Sequence, residues 1–275
     1  MCRAIPEVEV IGIRSPKMNI PSGDDTLGLC ITNKKGFQDL KNHFQPHIVI
    51  HAAGVCDLDV CEERPSWAFS MNTTGSQVIA DVFGMDSYII YLSSDLVFSG
   101  NNPPESGYDE KSVTDPLSVA GKTIALAEAQ IANSRKWTIL RLGLPIGSSL
   151  TGDKGAVDFI GSRLRRTLPL TLFYDEFRSC IGCDEICRII KRLVEIRCEG
   201  LFHLGGPKPY SLYEVGEWVR NQKNYSEGLL KGISRFEEKN GPPRIGNVAL
   251  NSSKIESLLE YRITDPLVRI QVSGF

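Results

Sequence analysis

The chain has 275 residues, a formal net charge of −2 and 41% hydrophobic content, enough for one or two globular domains with a substantial core. The balanced charge excludes a strongly basic nucleic-acid binder. No apolar run approaches the roughly 20 residues that span a bilayer, and the opening residues lack the apolar stretch of a secretory signal. A cytoplasmic protein without nucleic-acid or membrane partners is the expectation.

In chain order, residues 7–13 alternate and are rich in Val and Ile, predicting a strand. Residues 14–28 carry Pro, Ser, Asn, Asp and Gly, a loop. A short amphipathic helix is predicted over 35–44 and a buried strand over 47–53, stopped by Gly54. Helical spacing of Trp67, Met71, Val78 and Val82 predicts a helix within 61–83, ended near Gly84. A strand at 88–93, a helix around 117–133 and a strand at 137–142 follow. Strands alternating with helices argue for a parallel sheet covered on both faces, with ligands at the carboxyl ends of the strands. Gly54, Ser94 and Gly143 lie at such ends. Further on, helices are predicted over 159–168, 184–197 and 211–220, the last opened by a Ser211/Glu214 capping box. A short strand is predicted over 200–204. Residues 245–255 read as a strand followed by Ser252 as the cap of a short helix.

Eight cysteines raise a metal or disulfide reading. Cys180 and Cys183 have C-x-x-C spacing and Cys187 follows, but no second pair or paired His completes a tetrahedral set. No metal is expected, and the thiols read as free or as small buried hydrophobes.

The strand at 88–93 ends in Ser93-Ser94-Asp95, with Phe98 just beyond, and Asp115-Pro116 leads through Gly121-Lys122-Thr123 to Glu128. Four more blocks follow the same family order: 47–72 (Ala52-Ala53-Gly54, Asp59, Cys61-Glu62, Pro65, Asn72), 175–186, 200–211 and 247–259. On these motifs the chain resembles the extended short-chain dehydrogenase/reductases, most closely the dTDP-4-dehydrorhamnose reductase-like sugar-nucleotide proteins. The resemblance implies an α/β fold. A Rossmann-like parallel sheet would occupy residues 1–144 and a smaller C-terminal substrate-binding lobe 145–275, with about 180–205 returning to the sheet. It also implies NADP or NAD as cofactor and a nucleotide-linked sugar as ligand; a homodimer is left open. Cofactor contacts would come from Ala52, Ala53, Gly54, Asn72, Leu142 and Gly143, and substrate contacts from Asp95, Phe98, Tyr108 and Arg178. Arg14 and Lys17 are placed to meet a 2′-phosphate. The family's opening strand and Gly-x-x-Gly-x-x-Gly turn have no counterpart; residues 2–13 resemble the end of its first helix and its second strand. A truncation or an internally assigned start codon explains this, the second being the expectation.

Such reductases place a tyrosine to protonate the carbonyl oxygen. A lysine one turn on lowers the tyrosine pKa and binds the nicotinamide ribose, and a Ser/Thr hydroxyl orients the carbonyl. The family pattern Pro-x-x-x-Tyr-Gly-x-Ser/Thr-Lys-x-x-x-Glu falls on Pro116, Gly121, Thr123 and Glu128, but its tyrosine position is Ala120 and its lysine position Ile124. Ser94 keeps the hydroxyl. Ala120 offers no proton and Ile124 no charge. General acid catalysis is worth roughly 10²–10⁴ in rate, so impaired reduction of a keto-sugar is expected. Lys122 sits on the opposite helix face, and Tyr108 matches a position near the substrate mouth. Two readings stay open: a divergent NAD(P)-dependent reductase on the route to deoxysugars such as dTDP-rhamnose, and a non-catalytic sugar-nucleotide-binding or regulatory pseudoenzyme. Blander roles compete at single residues. Ser93 to Asp95 could be a strand-end turn, Arg178 a surface arginine, and Arg163, Arg165 and Arg166 a solvated helix face. His51 and His203 read as core histidines, and Trp67, Trp137 and Trp218 as packing.

Overall fold

A computed structural model describes residues 8–17, 26–149, 155–222 and 224–269. Residue 7 of the first predicted strand, residues 2–7 of the block likened to a family helix and strand, and positions 18–25 of the predicted loop lie outside the described residues. The elements run β1 (Ile13–Arg14), β2 (Leu27–Gly28), α1 (Lys34–Phe44), β3 (Ile48–His51), α2 (Leu58–Glu63), α3 (Pro65–Phe69), α4 (Gly75–Phe83), β4 (Tyr88–Ser94), α5 (Val119–Ile131) and β5 (Trp137–Leu142). They continue with β6 (Leu144–Ile146), α6 (Ala156–Arg165), β7 (Leu170–Phe173), β8 (Phe177–Gly182), α7 (Cys183–Ile196), β9 (Gly200–Leu204), β10 (Pro209–Ser211), α8 (Leu212–Gln222), β11 (Leu230–Ile233), α9 (Ser253–Leu259) and α10 (Pro266–Arg269). The α/β class with parallel ladders is what the sequence predicts.

The chain divides into two compact units. The first comprises Met1–Ser94, Ser118–Leu140 and Cys187–Leu201; the second comprises Asp95–Leu117, Arg141–Ile186 and Phe202–Phe275. In the first, a sheet of order β3-β4-β5-β9 begins with a parallel ladder in which Ile48 faces Tyr88 and His51 faces Tyr91. Its core joins Phe37, Val82 and Phe83 from the helices to Ile89, Tyr91 and Ile139 from the strands. Helix α1 starts because Asn33 accepts from the Gly36 N–H at 3.0 Å, and stops at Gln45, which adopts a left-handed φ of 45°. Helix α5 starts at Ser118, whose hydroxyl accepts from Gly121 N at 3.1 Å, while the Glu62 carboxylate accepts from Val119 N at 2.7 Å. Two otherwise orphaned first-turn donors are thereby satisfied.

Three sequence expectations need correction here. The predicted loop at 14–28 contains β2 and half of β1, which form a separate two-stranded parallel ladder, Ile13 opposite Leu27. The helix predicted within 61–83 is broken. Arg64 leaves helical geometry at ψ 60°, Pro65 opens α3, and residues Ser70–Thr74 form a π-helical turn before α4. Lastly, no strand forms across 245–255. Asn247 and Leu250 make isolated bridges to Phe177 and Tyr108, and the segment otherwise runs without a ladder.

In the second unit β8 holds a three-stranded sheet, parallel to β6 and antiparallel to β10, and β7 pairs with β11. Leu144, Ile160, Leu164, Leu172, Val215 and Val219 pack together there. The predicted capping box is present at α8: Ser211 Oγ accepts from Glu214 N at 3.1 Å, and Glu214 accepts from Ser211 N at 2.7 Å. Ser252 occupies the N-cap position of α9, as predicted, but its side chain makes no capping bond. Its hydroxyl donates to the Gly205 carbonyl at 2.9 Å and accepts from the Gly205 N–H at 2.8 Å.

Candidate functional site

In the first unit the residues at the family positions are close-packed and apolar. Ala120 is 0% exposed and Ile124 6%. Lys122 is solvent-exposed and so cannot take the place of the missing cation. Thr123, one residue before Ile124, is tied into a polar knot with Asn72. The Asn72 amide donates to Thr123 Oγ1 at 2.8 Å and to the Val55 carbonyl at 2.9 Å, and its oxygen accepts from the Val55 N–H at 2.7 Å. Asn72 is a poor helix former. Its place inside the π-helical turn, where i→i+5 spacing inserts an extra residue, gives it the reach to hold the chain just past Ala52-Ala53-Gly54. A Cβ added to Gly54 would stand 3.3 Å from Asn72 Oδ1. Asn72 thus pins the backbone at Val55, next to Gly54.

A second polar chain crosses the same unit. Ser93 Oγ donates to Glu128 Oε1 at 2.5 Å; His51 Nε2 and Ser76 Oγ lie 2.9 Å apart, and Ser76 donates to the Asn72 carbonyl at 2.7 Å. Tyr91, stacked at 5.0 Å on His51, has its phenol pushed up by burial, with Glu128 adding to the effect and a bond to Ser76 opposing it. Burial drives the His51 imidazole down to about 4, so it is neutral at physiological pH, the core histidine that the strand pattern suggests. Composition singled out neither Ser76 nor Glu128 for this role. For Ser76 the only sequence signal is a polar residue on the buried stripe of a helix; Glu128 also closes the family pattern.

A cavity of about 600 Å³ lies within this unit. Its walls are mainly Ile, Leu, Val and Phe side chains; Ala52, Ala53 and Gly54 lie at one part of it, and Arg14, Ser15 and Cys30 also border it. Lys17 is exposed. The Cys30 thiol is held below its ordinary range by hydrogen bonding to Thr32.

The second unit gathers the four predicted substrate residues into two groups. Arg178 and Asp95 pair side by side, Nε to Oδ2 at 2.9 Å and the terminal nitrogen to the other oxygen. This bidentate geometry is the one that suits a phosphate, and here Asp95 engages it. Phe98 and Tyr108 stack at 4.1 Å between centroids. Burial raises the Tyr108 phenol, which argues against its service as a replacement acid near neutral pH. Beside them His203 Nδ1 lies 2.8 Å from the Tyr108 carbonyl and Nε2 3.3 Å from Arg141. That fixes the tautomer with the proton on Nδ1, and burial pulls His203 down to about 4. Leu142 and Gly143 also belong here. Gly143 is required by a close approach, since a Cβ would fall 1.9 Å from the Ser179 carbonyl. Arg165 and Arg166 are exposed, as a solvated helix face requires, while Arg163 donates to the Pro169 carbonyl at 2.7 Å. Among the described residues no group of three or more His, Cys, Asp or Glu is placed to hold a metal, and none of the described cysteines forms a disulfide. No helix among the described residues is long and apolar enough to cross a membrane.

The sequence reading puts Ile124 where the family's ribose-binding ammonium stands, and its buried apolar side chain does not fit that role.

Residues 15–266 match the family described as the RmlD substrate binding domain. Methionine adenosyltransferase 2 subunit beta of Rattus norvegicus is 27% identical over 236 residues, covering 83% of this chain and 70% of that protein. In the Bos taurus protein of the same name the share covered is 66%. Among solved structures, a hypothetical dTDP-4-dehydrorhamnose reductase from Sulfolobus tokodaii superposes with a TM-score of 0.78 at 23% identity, covering 96% of this chain and 91% of that one. The dTDP-4-dehydrorhamnose reductase of Bacillus anthracis, in complex with NADP, gives 0.76 at 20% identity, covering 87% and 83%. At these identities the structural likeness is one of fold.

Proposed function

The chain belongs to the RmlD substrate-binding domain family, and from that premise we propose that it is a nucleotide-sugar-binding member whose reductase chemistry is lost. The observation that carries this is the pair of apolar side chains at the proton-donor and cation positions, Ala120 and Ile124, both buried. Ser94 retains a hydroxyl that can orient a carbonyl, but neither Ala120 nor Ile124 can protonate its oxygen. NADP or NAD, the cofactors named with solved relatives, would find Ile124 where the family carries an ammonium, so weak affinity is expected. A nucleotide-linked sugar remains the ligand class, with Arg178 as a phosphate contact that must exchange Asp95 for it. The cytoplasm is the proposed compartment.

A regulatory role is a second reading. It is supported by the vertebrate relatives named as subunits of methionine adenosyltransferase 2, proteins described as parts of another enzyme.

The test is NADPH titration by fluorescence, then turnover with a dTDP-4-keto-6-deoxysugar, then titration with dTDP and UDP. Nucleotide binding without reduction is expected. Tight NADPH binding with measurable reduction would overturn the proposal.

A further inference from the structure

Glu176 stands just before β8, two residues ahead of Arg178, and is buried. Among the described residues its Oε2 has no hydrogen-bond partner, a costly state for an ionised carboxylate taken out of water. Three chain segments close round it. The Phe177 N–H donates to the Gly246 carbonyl at 2.9 Å and the Val248 N–H to the Phe177 carbonyl at 3.0 Å, which brings up the segment that carries Arg244. Asp175 accepts from the Arg235 N–H at 2.7 Å and from Ser234 Oγ at 2.6 Å. The Arg235 guanidinium in turn donates to the Arg244 carbonyl at 3.3 Å and to Asn101 at 3.2 Å. Arg178 holds the fully buried Asp95. The charges that act on Glu176 are therefore Arg244, Arg178, Asp95 and Arg235. Other neighbours of β8 are engaged or neutral. On β10, Tyr210 lies opposite Arg178 and donates to Asp265; Glu214 of α8 accepts from the Ser211 N–H; β6 carries no ionisable side chain.

We propose that Glu176 takes up a proton when the diphosphate of a nucleotide-linked ligand binds at Arg178, so that affinity for the ligand rises as pH falls. The inference rests on the reading of Arg178 as a phosphate contact. Charge balance carries it. Three guanidiniums face two carboxylates, Glu176 and Asp95, which leaves one net positive charge. The diphosphate bridge of a nucleotide-linked sugar is doubly negative. With Glu176 ionised, the complex would hold one uncompensated negative charge in surroundings that screen it poorly. With Glu176 protonated, the cluster and its ligand are neutral together. Glu176 is already close to that form, because burial lifts its carboxyl to about 6 against the pull of the three arginines, and a second anion beside it lifts it further. Protonation also turns a carboxylate oxygen from an acceptor into a donor, the form that a site shared with phosphate accommodates. Arg235 and Arg244 each keep a buried Nε–H without an acceptor among the described residues, so the cluster has donors to spare for phosphate oxygens.

The experiment is isothermal titration calorimetry of the unmodified chain with dTDP-glucose and with UDP-glucose, whose diphosphates do not titrate near neutrality. Each is run near pH 6.5 and near pH 7.5, in PIPES and in imidazole, and the difference in heat between the two buffers counts the protons exchanged. Most of one proton should be taken up per ligand at the higher pH, and Kd should be about fivefold lower at the lower pH. Glu176→Gln, fixed in the neutral form, should bind about tenfold more tightly than the parent at the higher pH, with no proton uptake and one Kd at both. Equal Kd values at the two pH values in the parent would refute the inference while nucleotide binding itself stands. Proton uptake that persists in Glu176→Gln would refute it too, since the proton then goes to another group. Absence of binding by both sugars at either pH would overturn the nucleotide-sugar reading and this inference with it. If Glu176→Gln does not fold, carboxyl 13C shifts of the parent labelled at glutamate decide: no glutamate signal moving to its protonated position on adding ligand refutes the proposal.

Discussion

Glu176 offers the most quantitative test of the electrostatics in the second unit. It is 3% exposed, and its Oε2 has no hydrogen-bond partner. Burial lifts its carboxyl from 4.5 to about 6; the nearby Arg244, Arg178 and Arg235 oppose the rise and Asp95 adds to it. A carboxyl with a folded pKa above its unfolded value favours the native state when protonated. That contribution is complete below about pH 4.5 and is lost as pH climbs through about 6. At roughly 1.36 kcal/mol per pH unit, the gap corresponds to about 2 kcal/mol of stability missing at neutral pH. Glu176→Gln is a permanent copy of the neutral form. Urea melts should show the variant about 2 kcal/mol more stable than the parent near pH 7.5 and equal to it near pH 4, with a thermal midpoint raised by about 4–8 °C at the higher pH. A variant less stable than the parent near pH 7.5 would refute the reasoning, because it would mean that the three arginines hold an ionised carboxylate at net gain. A gain of equal size at both pH values would refute it as well, since titration would then play no part.

Asn72→Ala removes the partner of the Val55 N–H and C=O and of the Thr123 hydroxyl. A loss of about 3 kcal/mol is expected in urea unfolding, with faster amide exchange at Val55. Ala120→Tyr places a large ring at a position of 0% exposure; overpacking should cost about 1–3 kcal/mol, read as a lower thermal midpoint. The double variant with Ile124→Lys should show no reductase turnover above background unless the surrounding helix yields. Ser211→Ala breaks the reciprocal cap of α8 and should cost about 1 kcal/mol, with no change in nucleotide binding.

Much of the first unit was legible because its signals are local. Ser118 before an apolar-periodic run marks the start of α5, and Trp137–Leu142 is a strand at the predicted residues; in the second unit the Ser211/Glu214 pair caps as its spacing requires. Ala120 and Ile124 were singled out from one local motif, and their burial is what a helix face packed against a sheet imposes. Other features had no local signal. The break after Glu63 was announced by Pro65, but the π-helical turn that follows was not, since it depends on what Asn72 finds across the unit at Val55 and Thr123. Residues 245–255 look like a strand by composition, yet a ladder needs a continuous partner, and only single bridges to Phe177 and Tyr108 are on offer. Ser252, placed as a helix cap by its sequence position, is drawn instead to both backbone groups of Gly205.

The sequence by itself determined the α/β class and the order of the main elements, because each is a statement about neighbours along the chain. Tertiary structure alone decided that Asp95 engages the guanidinium of Arg178 from 83 residues away and that Glu176 lies buried among arginines. The reason is physical: pairing of charges is chosen among all groups that closure brings together, and no local pattern records that choice.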